Sequence, residues 1–491
     1  MRVAGAGGLA TARAFLTLRR CGGGIHLRRV VVSLLVLALI AGGVCIWIRG
    51  EGAAPVISAP EAVDLGRAAR KLAIGVADAG SGVRRVSAKL RTAEGERELG
   101  ALDVPGGLLR GGAQPRGPAA LELALDAKAL GLKEGDAFVV VEARDWSLRG
   151  MLGGNAATLE IPVRVDLRPP RVSVANGISY LKRSGSGAVY YSVTEDAVKD
   201  GVEVGDRSYQ GFPRKGGAVT DRVALFAIAR DQGPDAGPRV FAEDRAGNRT
   251  AVGWSTEIKD TAFAETPIDL GPNFMDQKIP ELADELGYDR EDLVAAFQQI
   301  NKDERAKNEA RIREIVSASS PEKLFDGPFA QMLNSQVTSR FAEHRSYFYK
   351  GARVSEAIHY GYDLASTAGA PIESANRGRV LHAGPLGIYG NCIVLDHGLG
   401  LSSLYGHLAQ IDVQEGQLVE KGARLGRSGK TGLAGGDHLH FAILVGGTYV
   451  DPVEWWDAKW VREKIDEVGG LTAEAPVEVA PAATAAQPAA Q

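Results

Sequence analysis

Residues 438–445 read HLHFAILV. The apolar run after the second His has the character of a β-strand. On a strand, side chains at i and i+2 share a face, so His438 and His440 point to one site and Leu439 points away. Two imidazoles on one face can start a metal or acid–base centre, and the groups that would complete it lie upstream. Six of the eight His (359, 382, 397, 407, 438, 440) fall within one C-terminal stretch rich in Gly and β-branched residues.

Two further patterns belong to that stretch. His359 precedes Asp363 by four residues in HYGYD, so an imidazole and a carboxylate can converge on one ion. His407 follows the Gly-rich turn DHGLGLSS in LYGHL and offers another imidazole at a strand end. Two His and one Asp suit zinc, which in catalytic sites takes three protein ligands and leaves a fourth position to water. A spare His can then act as general base or hydrogen-bond to an oxyanion. Taken singly, each of these residues is better read as structural; the inference rests on their conjunction.

These residues, with their surroundings, resemble the LytM/lysostaphin-type zinc endopeptidases of bacterial cell walls. The matching text is SRFAEHR (339–345), HYGYDLASTAGAPIESANRGRV (359–380), GIYGNCIVLDHGLGLSSLYGHL (387–408), VEKGARLGRSGKTGLAGGDHLHF (419–441) and YVDPVEWW (449–456). The resemblance implies a compact antiparallel β domain with its metal in a groove. It implies that His359, Asp363 and His440 bind Zn2+, one per chain, and that His407 and His438 are the catalytic, non-ligand His. Ala342, Ser403, Asp437 and Ala442 depart from the family pattern, but none replaces a ligand or a catalytic His. The implied activity is hydrolysis of peptidoglycan peptide cross-links. The alternative is a non-catalytic LytM-type module that activates another wall hydrolase; such members lack part of the His/Asp set, which is complete here.

The remaining residues of note have plainer readings. His382, in GRVLHAG, reads as structural, and His397, in DHG, as a packing residue or a support to the ligands. Cys392 reads as a buried apolar filler and Tyr405 as a packing residue or a hydrogen-bond donor near the site.

The chain has 491 residues, 45% of them hydrophobic, enough for about three cores. A net charge of −3 argues against a nucleic-acid partner, and three Cys make no disulfide framework. Residues 1–50 carry seven Arg and no Asp, Glu or Lys. Most of these Arg precede VVVSLLVLALIAGGVCIWI (30–48), an uncharged run near the ~20 residues that span a bilayer. The expectation is a basic cytoplasmic tail (1–29) and a single-pass helix (30–48) in the cytoplasmic membrane, with the rest in the periplasm or cell-wall space.

Residues 56–167 and 168–257 read as two weakly repeated β-sandwich modules of immunoglobulin-like type, parted near Pro169-Pro170. KLAIGVADAGSGVRRVSAKL (71–90) has a hairpin pattern, which AVYYSVTEDAVKDGVEV (188–204) repeats. Asp78, Asp145, Asp231 and Asp244 sit near turns; turn chemistry is favoured for them over calcium. Residues 258–334 read as a helical connector with Asp289 as an N-cap, and 281–343 could cover the groove. The peptidase-like domain is placed at 335–465 and a disordered Ala/Pro-rich tail at 466–491. The fold class is therefore mainly β.

Overall fold

The computed structural model describes residues 23–108, 110–112, 119–194 and 196–468. The basic tail before residue 23 and the Ala/Pro-rich tail after 468 lie outside them. The protein is mainly β and divides into two compact units, Met1–Leu167 and Arg168–Gln491.

The expected membrane helix is corrected. Among the described residues no helix is long and apolar enough to cross a membrane. The helix Gly23–Arg49 contains the apolar run, and six of the seven Arg of residues 1–50 precede that run. The single-pass placement in the cytoplasmic membrane falls with it.

In the first unit a five-stranded sheet (Val63–Leu65, Ala156–Val165, Gly135–Asp145, Val83–Thr92, Gly95–Asp103) faces a three-stranded one (Val56–Ser58, Arg70–Ala77, Ala119–Leu125). Alternation builds the core: Leu72, Ile74 and Val76 from one sheet meet Val86, Ala88 and Leu90 from the other. The expected hairpin at 71–90 is therefore not formed. Its two strands lie in different sheets, because both turn an apolar face to the same core and the turn between them crosses from layer to layer. The stretch 188–204 behaves alike, with Ser186–Val193 and Ala197–Val204 in separate sheets.

The Asp residues at these turns take local hydrogen bonds. Asp145 accepts from the backbone N–H of Ser147 (2.9 Å) and Asn155 (2.7 Å), and Asp244 accepts from that of Asn248 (2.9 Å). Asp231 pairs with Arg207 at 2.9 Å.

In the second unit one continuous core runs from Leu181 to Ile465, joining the β region after 168, the helices and the C-terminal domain. The seam is specific. Lys182 bridges to Asp451 (3.0 Å), the Ser186 N–H donates to Glu454 (2.9 Å) and Tyr209 bonds Thr448 (3.1 Å). Trp455, fully buried, donates its indole N–H to Ser186 Oγ (3.1 Å) and packs edge-on against Phe325 and Phe329.

The helical stretch contains Ile279–Leu286, Leu293–Gln299 and Arg305–Val316, with wide π-helical turns at Phe274–Lys278 and Ile300–Glu304. The N-cap of the second helix is Asp292, which accepts from the N–H of Val294 and Ala295; Asp289, the expected cap, accepts only from Glu291. Asp289 stands a turn too early because residues 287–292 are not helical.

The C-terminal domain is built on an eight-stranded sheet in which Leu439–Val445 lies between Tyr362–Ala365 and Leu401–Leu408, all antiparallel. All seven residues of Leu439–Val445 are buried, which explains its unbroken apolar run. A Trp455→Ala variant should lose about 3–5 kcal/mol of stability through the cavity it leaves. Denaturant unfolding would measure this; a midpoint like that of the wild type would show that Phe325 and Phe329 collapse into the space.

Candidate active site

Strand register places the first pair of groups. Asp363 is the direct cross-strand partner of His440, and Gly406 faces His440 from the other side. A Cβ at Gly406 would meet the Tyr389 carbonyl at 3.4 Å and His440 Cβ at 3.5 Å. His359 follows the strand Ala352–Ile358, and the turn through Tyr360 and Gly361 brings it back over Asp363. Gly361 lies against the His440 ring, where an added Cβ would stand 2.4 Å from Cε1.

Three donor atoms then converge. His359 Nε2 lies 2.9 Å from Asp363 Oδ1 and 3.1 Å from His440 Nδ1, and His440 Nδ1 lies 3.0 Å from the same Asp363 oxygen. All three residues are buried. One proton of His359 is placed by its other nitrogen. Nδ1 is 3.0 Å from the Arg340 carbonyl, which can only accept, so Nδ1 carries a proton and Nε2 is the nitrogen turned to Asp363. A nitrogen facing a carboxylate oxygen at 2.9 Å requires a proton or a cation between them. Donors held near 3 Å apart match the edge of a zinc tetrahedron, about 3.3 Å for bonds of about 2.0–2.1 Å.

His407 and His438 stand beside this trio. Their ring centres are 4.8 Å apart, and His407 lies 5.8 Å from His440. His407 bonds the Thr431 carbonyl through Nδ1 (2.8 Å), and His438 bonds that of Gly436 (2.9 Å), so each leaves Nε2 for the cavity. His438 Nε2 is 3.5 Å from Asp363 Oδ1. His407 has a φ of +64°, a strained conformation for a residue with a Cβ, at the end of Leu401–Leu408.

Charge is tuned by burial and neighbours. Burial alone would raise the Asp363 carboxyl, but His359, His438 and His440 around it hold it well below the usual carboxylate range. Burial lowers His407 far below the ordinary imidazole range, helped by His438 and His440, and brings His440 down to about 4. Burial also works against charge on His438, but its contact with Asp363 wins and raises it.

The five residues named from sequence thus share one cavity of about 310 Å³. Leu439 points away, as period two requires, and with Tyr405 and Phe441 lines a separate hollow of about 870 Å³ that holds no His. Tyr405 accepts from the Ala375 N–H there (2.9 Å) and does not reach the cluster. His397 is fully buried between the Arg377 carbonyl and Ser403 Oγ, both at 2.7 Å, and supports packing against Phe329 rather than a ligand. His382 pairs with Glu415 at 3.2 Å, outside the cluster. Cys392 is fully buried and its thiol is pushed up by burial, as befits a filler.

Sequence reading missed Arg345, which donates from Nη2 to Asp363 Oδ2 at 2.9 Å. Nothing local in SRFAEHR marks it; the contact exists only because His344–Tyr349 and Ala352–Ile358 pair beside the cluster. Also missed were individual connector residues on the cavity wall, among them Leu270, Phe274, Phe297 and Arg305.

A Gly361→Ala variant should expel the His440 ring from its place. Calorimetric titration with a divalent cation should then show affinity reduced by about tenfold or more, the scale seen when a ligand loses its orientation. Unchanged affinity would show that the ring has room to shift.

Residues 357–452 match the model of Peptidase family M23. The chain is 33% identical over 138 residues to the peptidoglycan DD-endopeptidase ShyB of Vibrio cholerae, covering 28% of this chain and 32% of that protein. It is 35% identical over 96 residues to the DD-carboxypeptidase/endopeptidase Mpg of Neisseria meningitidis, covering 20% of this chain and 22% of that protein. The chain thus spans about a third or less of the length of these curated relatives. Among solved structures, a putative peptidase M23 from Pseudomonas aeruginosa matches at 21% identity and a TM-score of 0.33, over 56% of this chain and 94% of that one. The catalytic domain of lysostaphin from Staphylococcus simulans matches at 28% identity and a TM-score of 0.19, over 26% of this chain and 86% of that one.

Proposed function

We propose that this chain, which carries a Peptidase family M23 domain over residues 357–452, is a zinc metalloendopeptidase that hydrolyses peptide cross-links of peptidoglycan. One observation carries the reading: two imidazole nitrogens and a carboxylate oxygen converge within about 3 Å of one another, with two further imidazoles in the same cavity. The substrate class is supported by the relatives whose names describe peptidoglycan endopeptidases.

On this reading His359, Asp363 and His440 hold the ion. Zinc, when bound, supplies a Lewis acid that acidifies water and polarises a carbonyl. Arg345 occupies Asp363 Oδ2 and so keeps Oδ1 turned to the ion. His407 and His438, each with Nδ1 tied to a backbone carbonyl, present Nε2 to the cavity. Between them they take the proton of the attacking water and donate to the developing oxyanion. The β regions at 56–167 and 168–257 we read as sandwich modules of immunoglobulin-like type.

The direct test is digestion of purified sacculi by the full chain, with and without a zinc chelator, with muropeptides read by mass spectrometry. Loss of cross-linked dimers only in the untreated sample is expected, and it names the bond. A His407→Ala variant should retain one zinc per chain and lose about 10²–10⁴-fold in rate, the usual contribution of a positioned acid or base. Intact dimers in every sample, with zinc bound, would leave a binding module in place of an enzyme.

A further inference from the structure

The cavity around the His cluster is not walled by residues 357–452 alone. Leu270, Phe274, Phe297 and Arg305 of the connector line it too. Three of these are apolar and one is a guanidinium. A second guanidinium, that of Arg345, is already committed to Asp363 Oδ2 at 2.9 Å. Arg305 is different: among the described residues its hydrogen bonds go only to Asn301, from Nε to the backbone carbonyl (3.1 Å) and from Nη2 to Oδ1 (2.8 Å). It forms no close ion pair there; the half-buried Glu309, one turn along the same helix, feels its charge without a hydrogen bond to it. Of its five N–H donors, two are used and three remain.

Its orientation is held from outside the helix. Asn301 is buried and donates from Nδ2 to Ser355 Oγ (2.9 Å) and the Glu356 carbonyl (3.2 Å), on the strand Ala352–Ile358 that leads to His359. A chain of contacts therefore runs from that strand through Asn301 to the guanidinium. The local backbone is also unusual. Arg305 follows directly on the π-helical turn Ile300–Glu304, and Phe274 opens the other, Phe274–Lys278. A wide turn re-aims the side chains beside it, and such turns concentrate at functional sites. Tyr389, which also lines the cavity, sits with its ring centre 5.5 Å from that of His440. The other carboxylate on the wall, Asp269, belongs to an exposed residue.

We infer that Arg305 is a specificity-determining residue that receives a carboxylate of the peptide substrate, so that the connector supplies one wall of the binding site. This rests on the peptidase reading above. An oriented guanidinium with donors to spare and no close ion pair, on a wall shared with Leu270, Phe274 and Phe297, matches a peptide that presents a carboxylate next to apolar groups. Asn301 is a positioning residue: it touches no substrate and acts by fixing Arg305.

The test uses the zinc-loaded full chain and two substrates, a cross-linked muropeptide with free carboxylates and the same molecule with those carboxylates amidated. Wild type should prefer the free form. Arg305→Gln should raise KM for the free form about ten- to hundredfold, the scale of a lost hydrogen bond to a charged group, with kcat little changed and the amidated form unaffected. Arg305→Lys should recover part of the loss, and Asn301→Ala should fall between. Equal loss on both substrates, unchanged discrimination, or faster cleavage of both by Arg305→Gln (the sign of a plug removed) would overturn the inference. If wild type cleaves neither substrate, the peptidase reading fails separately. Calorimetric binding of the two peptides then decides the role of Arg305, and equal affinity in wild type and Arg305→Gln would overturn it.

Discussion

The two oxygens of Asp363 face opposite ways, and the candidate site depends on that division. Oδ2 takes the guanidinium of Arg345, while Oδ1 faces His359, His440 and, more distantly, His438. A buried carboxylate is costly to desolvate unless it is paired and hydrogen-bonded. Here both conditions are met, and the same pairing stops the carboxylate rotating. Arg345 is itself largely buried and has Glu343 at 3.7 Å as a second carboxylate, so loss of Asp363 or Arg345 costs the other its shared ion pair in a poorly solvated place.

That electrostatic lock needs a rigid frame. The antiparallel pairing of Tyr362–Ala365 with Leu439–Val445 sets Asp363 against His440, and the pairing with Leu401–Leu408 sets Gly406 on the other flank. Each strand buries almost every side chain, so a slip of one residue would turn the imidazoles into the hollow beneath and Leu439 into the cavity. The strain at His407, and the tight approach of Gly361 to His440, are held by this packing. Behind the sheet, Trp455 and its aromatic neighbours fasten the region after Arg168 to the C-terminal domain, so the domain is not an isolated bead.

Much of the cluster was legible because its spacing is local. His438 and His440 lie two apart on a strand, where period two puts them on one face, and His359 and Asp363 lie four apart, where the turn through Tyr360 and Gly361 brings them together. Tyr405 shows the limit of that logic: it lies two residues before His407, yet its hydroxyl meets Ala375 on the far face. The hairpin patterns at 71–90 and 188–204 failed for a related reason. Alternation says which residues are buried, but two strands flanking a turn can bury them against one core from opposite sheets as well as from one. The apolar run at 30–48 was read from composition, and among the described residues no helix is long and apolar enough to cross a membrane.

From the sequence alone came the mainly β class, the identity of the five clustered residues and the family resemblance of the C-terminal domain. Each is carried by residue type and short-range spacing, which depend on no distant partner. Tertiary structure alone decided which sheet each strand joins, that Arg345 secures Asp363, and that the connector places Phe274, Phe297 and Arg305 on the wall of the cavity. Those contacts link residues far apart in the chain. No local pattern encodes them, because what selects them is the common core that the distant segments must bury together.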